Sequence, residues 1–359
     1  MRKTHALVGV AAAAALALAG CGAAPDSSGN DSSKKASENE TTSDFQACMV
    51  SDAGGFDDKS FNQSTHDGLV KAESDFGIKT QALESKDQND FAPNLDQLVS
   101  SGCNLIITVG FNLSDATKTA AAANPDIKFA IVDDSQIQAD NVKPVVYATQ
   151  EAAFLAGYAA AAYSKTGKVG TFGGMQIPTV TIFMDGFADG VARFNQDKGA
   201  SVEVIGWDKA AQTGLFTGDF DDVAKGKTTS ETMIAQGVDV IMPVAGPVGA
   251  GASAAAKDAG NVVVVWVDAD GYLTTDDGPL MLTSVMKLMG EAVTSIVKDA
   301  MDDNFSNEAY VGTVANGGVA IAPFHDLESA VSDETKAEIT DLQGQISSGA
   351  LKVESISAP

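Results

Sequence analysis

The chain has 359 residues, of which 44% are hydrophobic and 20% charged, so it is long enough for two globular domains and can bury a core. Its 48 Asp and Glu residues outnumber its 23 Lys and Arg residues, giving a net charge of −25 that disfavours binding to nucleic acid or to anionic lipid through a basic patch. With 3 histidines, one of them in a segment that we expect to be removed, we predict no metal site and no cofactor.

The first twenty residues have the layout of a secretory signal peptide. Arg2 and Lys3 precede an uncharged apolar run, residues 6–20, which is too short to cross ~30 Å of hydrocarbon comfortably. The run ends in Leu-Ala-Gly-Cys at residues 18–21, which resembles the lipobox of bacterial lipoproteins. We predict that Cys21 is lipidated, carries palmitate and anchors the protein at the extracytoplasmic face of the cell membrane. The alternative is an ordinary signal peptide followed by a chance cysteine.

Residues 21–44 form a polar segment. They include six serines, no aromatic residue and no aliphatic residue larger than alanine. Such a composition cannot offset the entropy lost on ordering, so we predict a disordered tether.

Short apolar runs rich in β-branched residues then alternate with stretches of helical spacing. Short strands separated by helices indicate parallel βαβ units with helices on both faces of each sheet. The predicted strands are Ala47–Ser51, Leu105–Val109, Phe129–Val132, Val145–Tyr147, Val169–Phe172, Val202–Ile205, Val240–Val244, Val262–Val267 and Leu280–Val285.

These strands are too many for one comfortable open sheet, so we predict an α/β fold with two doubly wound domains. The first domain is expected over residues 45–148 and the second over residues 149–285. The remaining segment, residues 286–359, is expected to complete both domains and to contain a helix from about Met286 to Met301. The ligand of such a protein belongs in the cleft between the domains.

Two cysteines remain after Cys21. Cys48 lies near the start of the first predicted strand and Cys103 immediately precedes the second. In an exported chain this pair predicts a disulfide, because the starts of parallel neighbouring strands lie side by side. Two buried free thiols are the alternative.

Enzyme signatures are missing from the sequence. Gly226-Lys227-Thr228 resembles the end of a phosphate-binding loop but lacks the required glycine five residues earlier. The glycine-rich stretches at residues 170–174 and 246–251 lack the dinucleotide-binding spacing, and neither a zinc-protease motif nor a nucleophile elbow occurs. The sequence therefore favours a binding protein over an enzyme.

Carboxylates follow three of the predicted strands. They are Asp52 after the first strand, the pair Asp133-Asp134, and Asp268 with Asp270. Because the carboxyl ends of parallel strands border the ligand cleft, these groups can converge on a ligand rich in O–H and N–H donors. The alternative for each is helix capping or loop solubility, and the sequence does not choose within either pair.

Several motifs follow one another in a characteristic order along the chain. Residues 52–63 read Asp-x-Gly-Gly-x-Asp-Asp-Lys-Ser-Phe-Asn-Gln, and further motifs lie at residues 129–133, 151–158, 173–187, 266–270 and 282–287. In this order they resemble the basic membrane protein (BMP) family of nucleoside-binding lipoproteins. The resemblance implies a type I periplasmic-binding-protein fold, two Rossmann-like domains joined by a hinge, in the substrate-binding subunit of an ABC importer. It also implies an ABC permease and an ATPase as partners of a monomeric receptor.

The resemblance implies which residues form the apolar walls of the site. Phe61 is expected to stack on the nucleoside base, and Phe183 from the second domain to cover the other face or the pocket wall. Gly246 is expected to let the backbone approach the ligand.

The resemblance also implies the polar contacts. Asp52 and Asn62 are expected to serve the first-domain side, and Asp133 to bind the edge of the base. Asp268 and Lys287 are expected to hold the ribose hydroxyls.

The sequence departs from the family pattern at two places. Residues 179–182 lack the arginine or similar polar residue that often stands there, and Gly271 replaces a glutamine. We predict a nucleoside ligand with purines favoured, but both departures leave the base open. A sugar receptor of the same fold and a secreted nucleoside hydrolase that uses the strand-end aspartates are the alternatives.

Overall fold

The computed structural model of the chain describes residues 44–359. The predicted signal peptide, Cys21 and all but the last residue of the predicted tether lie outside the described residues. Within residues 44–359, no helix combines the length and the apolar character that a membrane span needs.

Strands and helices alternate along the described residues. The strands are β1 Gln46–Val50, β2 Lys79–Leu83, β3 Leu105–Val109, β4 Lys128–Val132, β5 Val142–Tyr147, β6 Lys168–Gly173, β7 Glu203–Ile205, β8 Trp207–Asp208, β9 Thr213–Gly214, β10 Val240–Val244, β11 Val263–Asp268, β12 Met281–Lys287, β13 Tyr310–Gly312 and β14 Val319–Ile321. The helices are α1 Phe61–Phe76, α2 Phe91–Ser100, α3 Ser114–Ala123, α4 Thr149–Tyr163, α5 Pro178–Lys198, α6 Val223–Ala235, α7 Gly249–Ala259, α8 Gly271–Thr274, α9 Met289–Met301 and α10 Asp333–Ser347.

Two six-stranded sheets share one topology. The first sheet has the order β13-β5-β4-β3-β1-β2, with every pairing parallel. The second sheet has the order β14-β12-β11-β10-β6-β7, and only the β12–β14 pairing in it is antiparallel. In each sheet the strand order reverses beside the strand that comes first along the chain, which is β1 in the first sheet and β6 in the second. Ligands of open α/β sheets bind at such a reversal.

The described chain passes between the sheets three times. Helix α4 connects β5 to β6, helix α9 connects β12 to β13, and the segment after β13 returns to β14. The last part of the chain thus adds one edge strand to each sheet. The domain boundaries stay a prediction, since strand membership does not fix them.

Helices α4 and α5 approach each other closely because glycines face the opposite backbone. A Cβ atom added to Gly157 would lie 2.1 Å from the Phe187 carbonyl oxygen, and one added to Gly190 would lie 2.0 Å from the Phe154 oxygen. Any larger residue would push the helices apart. This contact fixes α5, whose first turns enter the ligand cleft.

All nine predicted strands are present, with ends shifted by up to three residues. The predicted helix from about Met286 to Met301 begins only at Met289, because Met286 and Lys287 continue β12. A disulfide joins Cys48 to Cys103, whose Cα atoms lie 6.0 Å apart, and β1 and β3 are parallel neighbours as that pairing requires.

Candidate functional site

A cavity lies between the carboxyl ends of the two sheets. It holds about 580 Å³ of empty space, part of which opens to solvent. All eight residues that the sequence analysis assigned to the ligand line it: Asp52, Phe61, Asn62, Asp133, Phe183, Gly246, Asp268 and Lys287. The strand-end rule and the family motifs therefore led to one place in the fold.

The apolar wall of the cavity is aromatic. Phe61 begins α1 and Phe183 lies in the second turn of α5. Phe111 and Phe220 also line the cavity, and neither was predicted from the sequence. Phe111 follows β3 and was accessible to the strand-end rule, whereas Phe220 lies in a loop after β9 that no pattern marked. Flat apolar surfaces of this kind suit an aromatic ligand.

The backbone itself forms one side of the cavity. Gly246 follows β10 with a φ of +52°, a conformation that L side chains rarely adopt. A Cβ atom added there would meet no other atom within 4 Å. The glycine is therefore required by the turn and leaves open space beside the chain.

Three charged residues from both sheets meet at one end of the cavity, and we call Asp133, Lys287 and Asp268 the Lys287 triad. The ammonium nitrogen of Lys287 lies 2.6 Å from Asp133 Oδ2 and 3.3 Å from Asp268 Oδ1. Lys287 is only 4% exposed. Burial opposes its charge, but the two carboxylates outweigh that effect and raise the pKa of Lys287 above its usual value.

Aromatic rings complete the surroundings of the Lys287 amine. Its nitrogen lies 4.8 Å from the centre of the Phe61 ring and 5.2 Å from that of Phe183. Tyr147 stands 5.9 Å away on a third side. Cation–π attraction therefore adds to the two ion pairs that hold the charge in place.

The two carboxylates of the triad are positioned by the same backbone device. Asp133 has a φ of +66° at the end of β4, and Asp268 has a φ of +69° at the end of β11. This region is strained for residues other than glycine, at a cost of about 1–3 kcal/mol each. Ser60 Oγ lies 3.1 Å from Asp268 Oδ2 and supports that carboxylate from the α1 side.

A second polar group lies at the start of α1, and we call Asp52, Asp58 and Asn62 the Asn62 cluster. The Asn62 amide nitrogen donates to Asp52 Oδ1 at 2.8 Å and to Asp58 Oδ2 at 3.1 Å. The Asp58 side chain caps α1, accepting from the backbone N–H groups of Asn62 at 2.8 Å and Gln63 at 3.0 Å. The amide orientation is thus fixed.

Two acceptor groups of the Asn62 cluster, Asn62 Oδ1 and the Asp52 carboxylate, have fewer hydrogen-bond donors around them than they can accept from. Asn62 Oδ1 is buried and has no hydrogen-bond partner among the described residues. Burial raises the pKa of Asp52 to about 6, although hydrogen bonds from Asn62 and Gly54 partly offset the effect and Asp58 adds to it. Leaving a buried acceptor unpaired costs about 1–3 kcal/mol, which a ligand N–H group would relieve.

The structure separates both undecided aspartate pairs. Asp134 turns away from Lys287 and accepts from Ser114 Oγ at 2.7 Å. Asp270 caps α8 by accepting from the Tyr272 N–H at 3.1 Å, and it lies 2.8 Å from His325 Nε2. Asp133 and Asp268 are therefore the members of each pair that line the ligand cavity.

The structure shows the surroundings of both positions at which the sequence departs from the family pattern. Thr179 and Val180, from the segment that lacks the arginine, line the cavity. A Cβ atom on Gly271 would lie 2.6 Å from Trp266 side-chain atoms, so no larger residue fits there as Trp266 now stands. Among residues 44–359, no group of three His, Cys, Asp or Glu side chains converges as metal ligands do.

The fold and the cleft define a class, the substrate-binding proteins of type I periplasmic architecture. A solute-binding protein of an ABC transporter system from Aeropyrum pernix K1 superposes with a TM-score of 0.78 at 26% identity, covering 86% of this chain and 92% of that one. A corresponding protein from Conexibacter woesei DSM 14684 shares the fold with a TM-score of 0.68 at 21% identity, covering 88% of this chain and 100% of that one.

The family follows from the sequence comparison. Residues 45–357 match the family described as "Bmp: ABC transporter substrate-binding protein PnrA-like", and the chain belongs to it. The "ABC transporter nucleoside-binding protein BmpA" of Lactococcus lactis subsp. cremoris is 32% identical over 99% of both chains. "Basic membrane protein A" of Borreliella burgdorferi is 33% identical over 82% of this chain and 83% of that one.

These findings confirm the predicted family and fold class. The chain is an extracytoplasmic substrate-binding protein of an ABC transporter, so a ligand, a permease and an ATPase are its partners. It is not an enzyme, and the hydrolase alternative was wrong.

Proposed function

We propose that the cleft binds a nucleoside, with purines favoured, for import. The observation that carries this proposal is one cavity with an aromatic wall between two polar ends of different chemistry. A nucleoside has the matching parts: a flat base, a hydrogen-bonding base edge and a ribose with several hydroxyls. The Lactococcus relative bears the name of a nucleoside-binding protein, which supports the same assignment.

We assign the base to Phe61, Phe183 and the Asn62 cluster. The rings stack on the base, which contributes about 0.5–1.5 kcal/mol beyond the burial of area. Asn62 Oδ1 and the Asp52 carboxylate accept hydrogen bonds from N–H groups of the base edge. Guanine and hypoxanthine present an N–H at position 1, so guanosine and inosine should bind more tightly than adenosine.

We assign the ribose to the Lys287 triad. The family resemblance implied that Asp133 binds the base edge, but we place Asp133 with Asp268 because of its 2.6 Å contact with Lys287. Carboxylate oxygens accept from ribose hydroxyls, and the ammonium group donates to them. Residues of both sheets then hold one sugar, which couples binding to closure of the cleft about a hinge.

We propose that the closed, monomeric receptor docks on its permease while a lipid on Cys21 holds it at the membrane surface. This anchor rests on the lipobox-like sequence at residues 18–21. Mass spectrometry of the N-terminal peptide from cell membranes should find a diacylated Cys21, and the Cys21→Ala variant should leave the detergent phase on phase partition. An unmodified Cys21 in membrane-derived protein would remove the anchor from the account.

A thermal-shift panel tests the ligand class. The panel holds adenosine, guanosine, inosine, uridine, cytidine, the free bases, ribose, glucose and amino acids. A ligand at 100 times its Kd adds about 2.7 kcal/mol to stability, which is readily measured. We expect shifts with purine nucleosides and none with ribose or free base. Shifts with sugars alone would support the sugar receptor, and no shift with any nucleoside on ligand-free protein would refute the proposal.

A further inference from the structure

A further space lies next to the ligand cavity at Asp133 and Lys287 of the triad, and we call it the second compartment. Phe111, Asp133, Thr179 and Lys287 line both spaces, so the two spaces are neighbours with these four residues between them. The second compartment holds about 810 Å³ of empty space, part of it open to solvent. Nothing in the nucleoside assignment above uses it.

The walls of the second compartment come from six separate parts of the chain. Tyr147 and Thr149 lie where β5 leads into α4, and Gln136 lies in the loop after β4. Residues 356–359 at the end of the chain close the far side, where Ser357 Oγ lies 2.9 Å from Thr181 Oγ1. The space is therefore bounded by both sheets and by the C-terminal segment.

One polar group in this wall has no partner. Tyr147 is only 4% exposed, and its hydroxyl makes no hydrogen bond to any described residue. Its ring packs edge-on against Tyr310 with the ring centres 5.9 Å apart, so packing fixes its position. A buried hydroxyl without a partner favours a bound group that supplies one.

The charge of the compartment excludes anions. Asp133 and Asp134 both line it, and among the described residues around it Lys287 is the only basic side chain. Lys287 is already shared between Asp133 and Asp268, which leaves Asp134 uncompensated by any cation. Val146, Pro178 and Ile182 supply apolar surface beside these carboxylates.

We propose that the second compartment is a subsite for a substituent on the 5′ carbon of the ribose. It would admit neutral or cationic 5′ groups, such as a thioether or an amine, and reject a 5′-phosphate. This inference rests on the proposed function, because the Lys287 triad that holds the ribose is also the boundary between the two spaces. The receptor would then take 5′-modified nucleosides as well as plain ones, and no nucleotides.

Calorimetric titration of the purified protein with a matched series tests the subsite. The series is inosine, 5′-deoxy-5′-methylthioinosine, 5′-amino-5′-deoxyinosine and inosine 5′-monophosphate. We expect the methylthio and amino compounds to bind within about 3-fold of inosine, and the monophosphate to bind at least 100-fold more weakly. Inosine binding with a loss of more than 10-fold for both modified compounds would overturn the subsite and leave the nucleoside assignment intact. Absence of inosine binding would overturn both.

A variant that fills the second compartment tests whether the 5′ substituent binds there. Ala358 is exposed and lines the second compartment, so Ala358→Trp adds an indole there without removing a side-chain contact. We expect Ala358→Trp to raise the Kd of 5′-deoxy-5′-methylthioinosine at least 10-fold and the Kd of inosine less than 2-fold. Ala122→Trp, at an exposed position on α3, is the matched control and should change neither. Equal effects of Ala358→Trp on both ligands would contradict the subsite.

Discussion

The two polar ends of the cavity are built in opposite ways. The Asn62 cluster comes from eleven consecutive residues, 52–62, on the first-sheet side, and it contains a buried acceptor without a partner. The Lys287 triad joins residues 133, 268 and 287 from both sheets, and each of its charges has an opposite charge within 3.3 Å, while Asp268 Oδ1 also makes no hydrogen bond to a described residue.

This difference separates two tasks. An end made within one sheet, whose acceptors are not paired with a cation, can select a ligand, since it gains hydrogen bonds only when a donor arrives. An end made across both sheets couples the position of one sheet to the other. We infer that the Asn62 cluster determines which base binds and that the Lys287 triad couples ligand binding to closure of the cleft.

The largest effect should come from removing the triad's cation. Lys287→Met leaves Asp133 and Asp268 as buried carboxylates without a counter-charge, which should lower the free energy of unfolding by about 3–5 kcal/mol. Urea denaturation measures this change, and nucleoside binding should fall below detection in calorimetry.

A matched lysine provides the control for that variant. Lys298→Met removes an exposed ion pair with Asp302 on α9 and should cost about 0–1 kcal/mol. If Lys287→Met were as mild as Lys298→Met, the triad would carry neither stability nor coupling.

Removing one of the two carboxylates of the Asn62 cluster should have effects of opposite sign on stability and on binding. Asp52→Asn keeps an acceptor for the Asn62 amide but removes a half-buried charge, so the ligand-free protein should gain about 1–3 kcal/mol at pH 7. Inosine should bind about 10–100-fold more weakly, because a charge-assisted hydrogen bond is lost. A variant that is less stable but binds normally would contradict the assignment of Asp52 to the base.

The same carboxyl predicts a pH dependence. Because the pKa of Asp52 is raised to about 6 in the folded protein, the destabilising charge is present above pH 6 and disappears as the pH falls below it. Inosine affinity should therefore decrease from pH 7 to pH 5, and Asp52→Asn should flatten that profile. Titration calorimetry at three pH values checks both curves.

The aromatic wall should show an intermediate effect. Phe61→Leu keeps an apolar side chain but removes the stacking face, so the nucleoside Kd should rise about 3–10-fold. Phe76→Leu, at the other end of α1 and outside the cavity, should leave the Kd unchanged. Equal Kd values for the two variants would mean that Phe61 does not stack on the ligand.

The smallest effect should come from the aspartate that the structure places outside the cavity. Asp270→Asn should change the nucleoside Kd by less than about 3-fold, because Asp270 caps α8 and contacts His325. Asp268→Asn should change it far more, since Asp268 belongs to the triad. Reversed results would exchange the roles of these two residues.

Much of the fold was readable from the sequence because central parallel strands are apolar on both faces. All five residues of β3 and of β10 are buried, and both strands were predicted with their observed ends. Strand β2 was missed because it is a half-exposed edge strand with the sequence Lys-Thr-Gln-Ala-Leu. The edge strands β13 and β14 have only three residues each, too few to show a period.

Site residues could be predicted from the sequence where a local rule applies, and could not where their role depends on contacts between residues far apart in the chain. Asp52 and the pair Asp133-Asp134 follow directly from the strand-end rule. The choice of Asp133 over Asp134 depends on a positive φ at residue 133, which no sequence pattern shows. The role of Lys287 depended on a family motif, since nothing in its neighbourhood along the chain indicates two aspartates 154 and 19 residues away.

The central claim is that both ends of the cavity hold one nucleoside. Calorimetric titration of ligand-free protein with inosine, hypoxanthine and ribose tests it most directly. We predict one inosine per chain with a micromolar Kd, about −8 kcal/mol, and no measurable binding of hypoxanthine or ribose alone. Ribose binding as tight as that of inosine, or no heat with any nucleoside, would contradict the account.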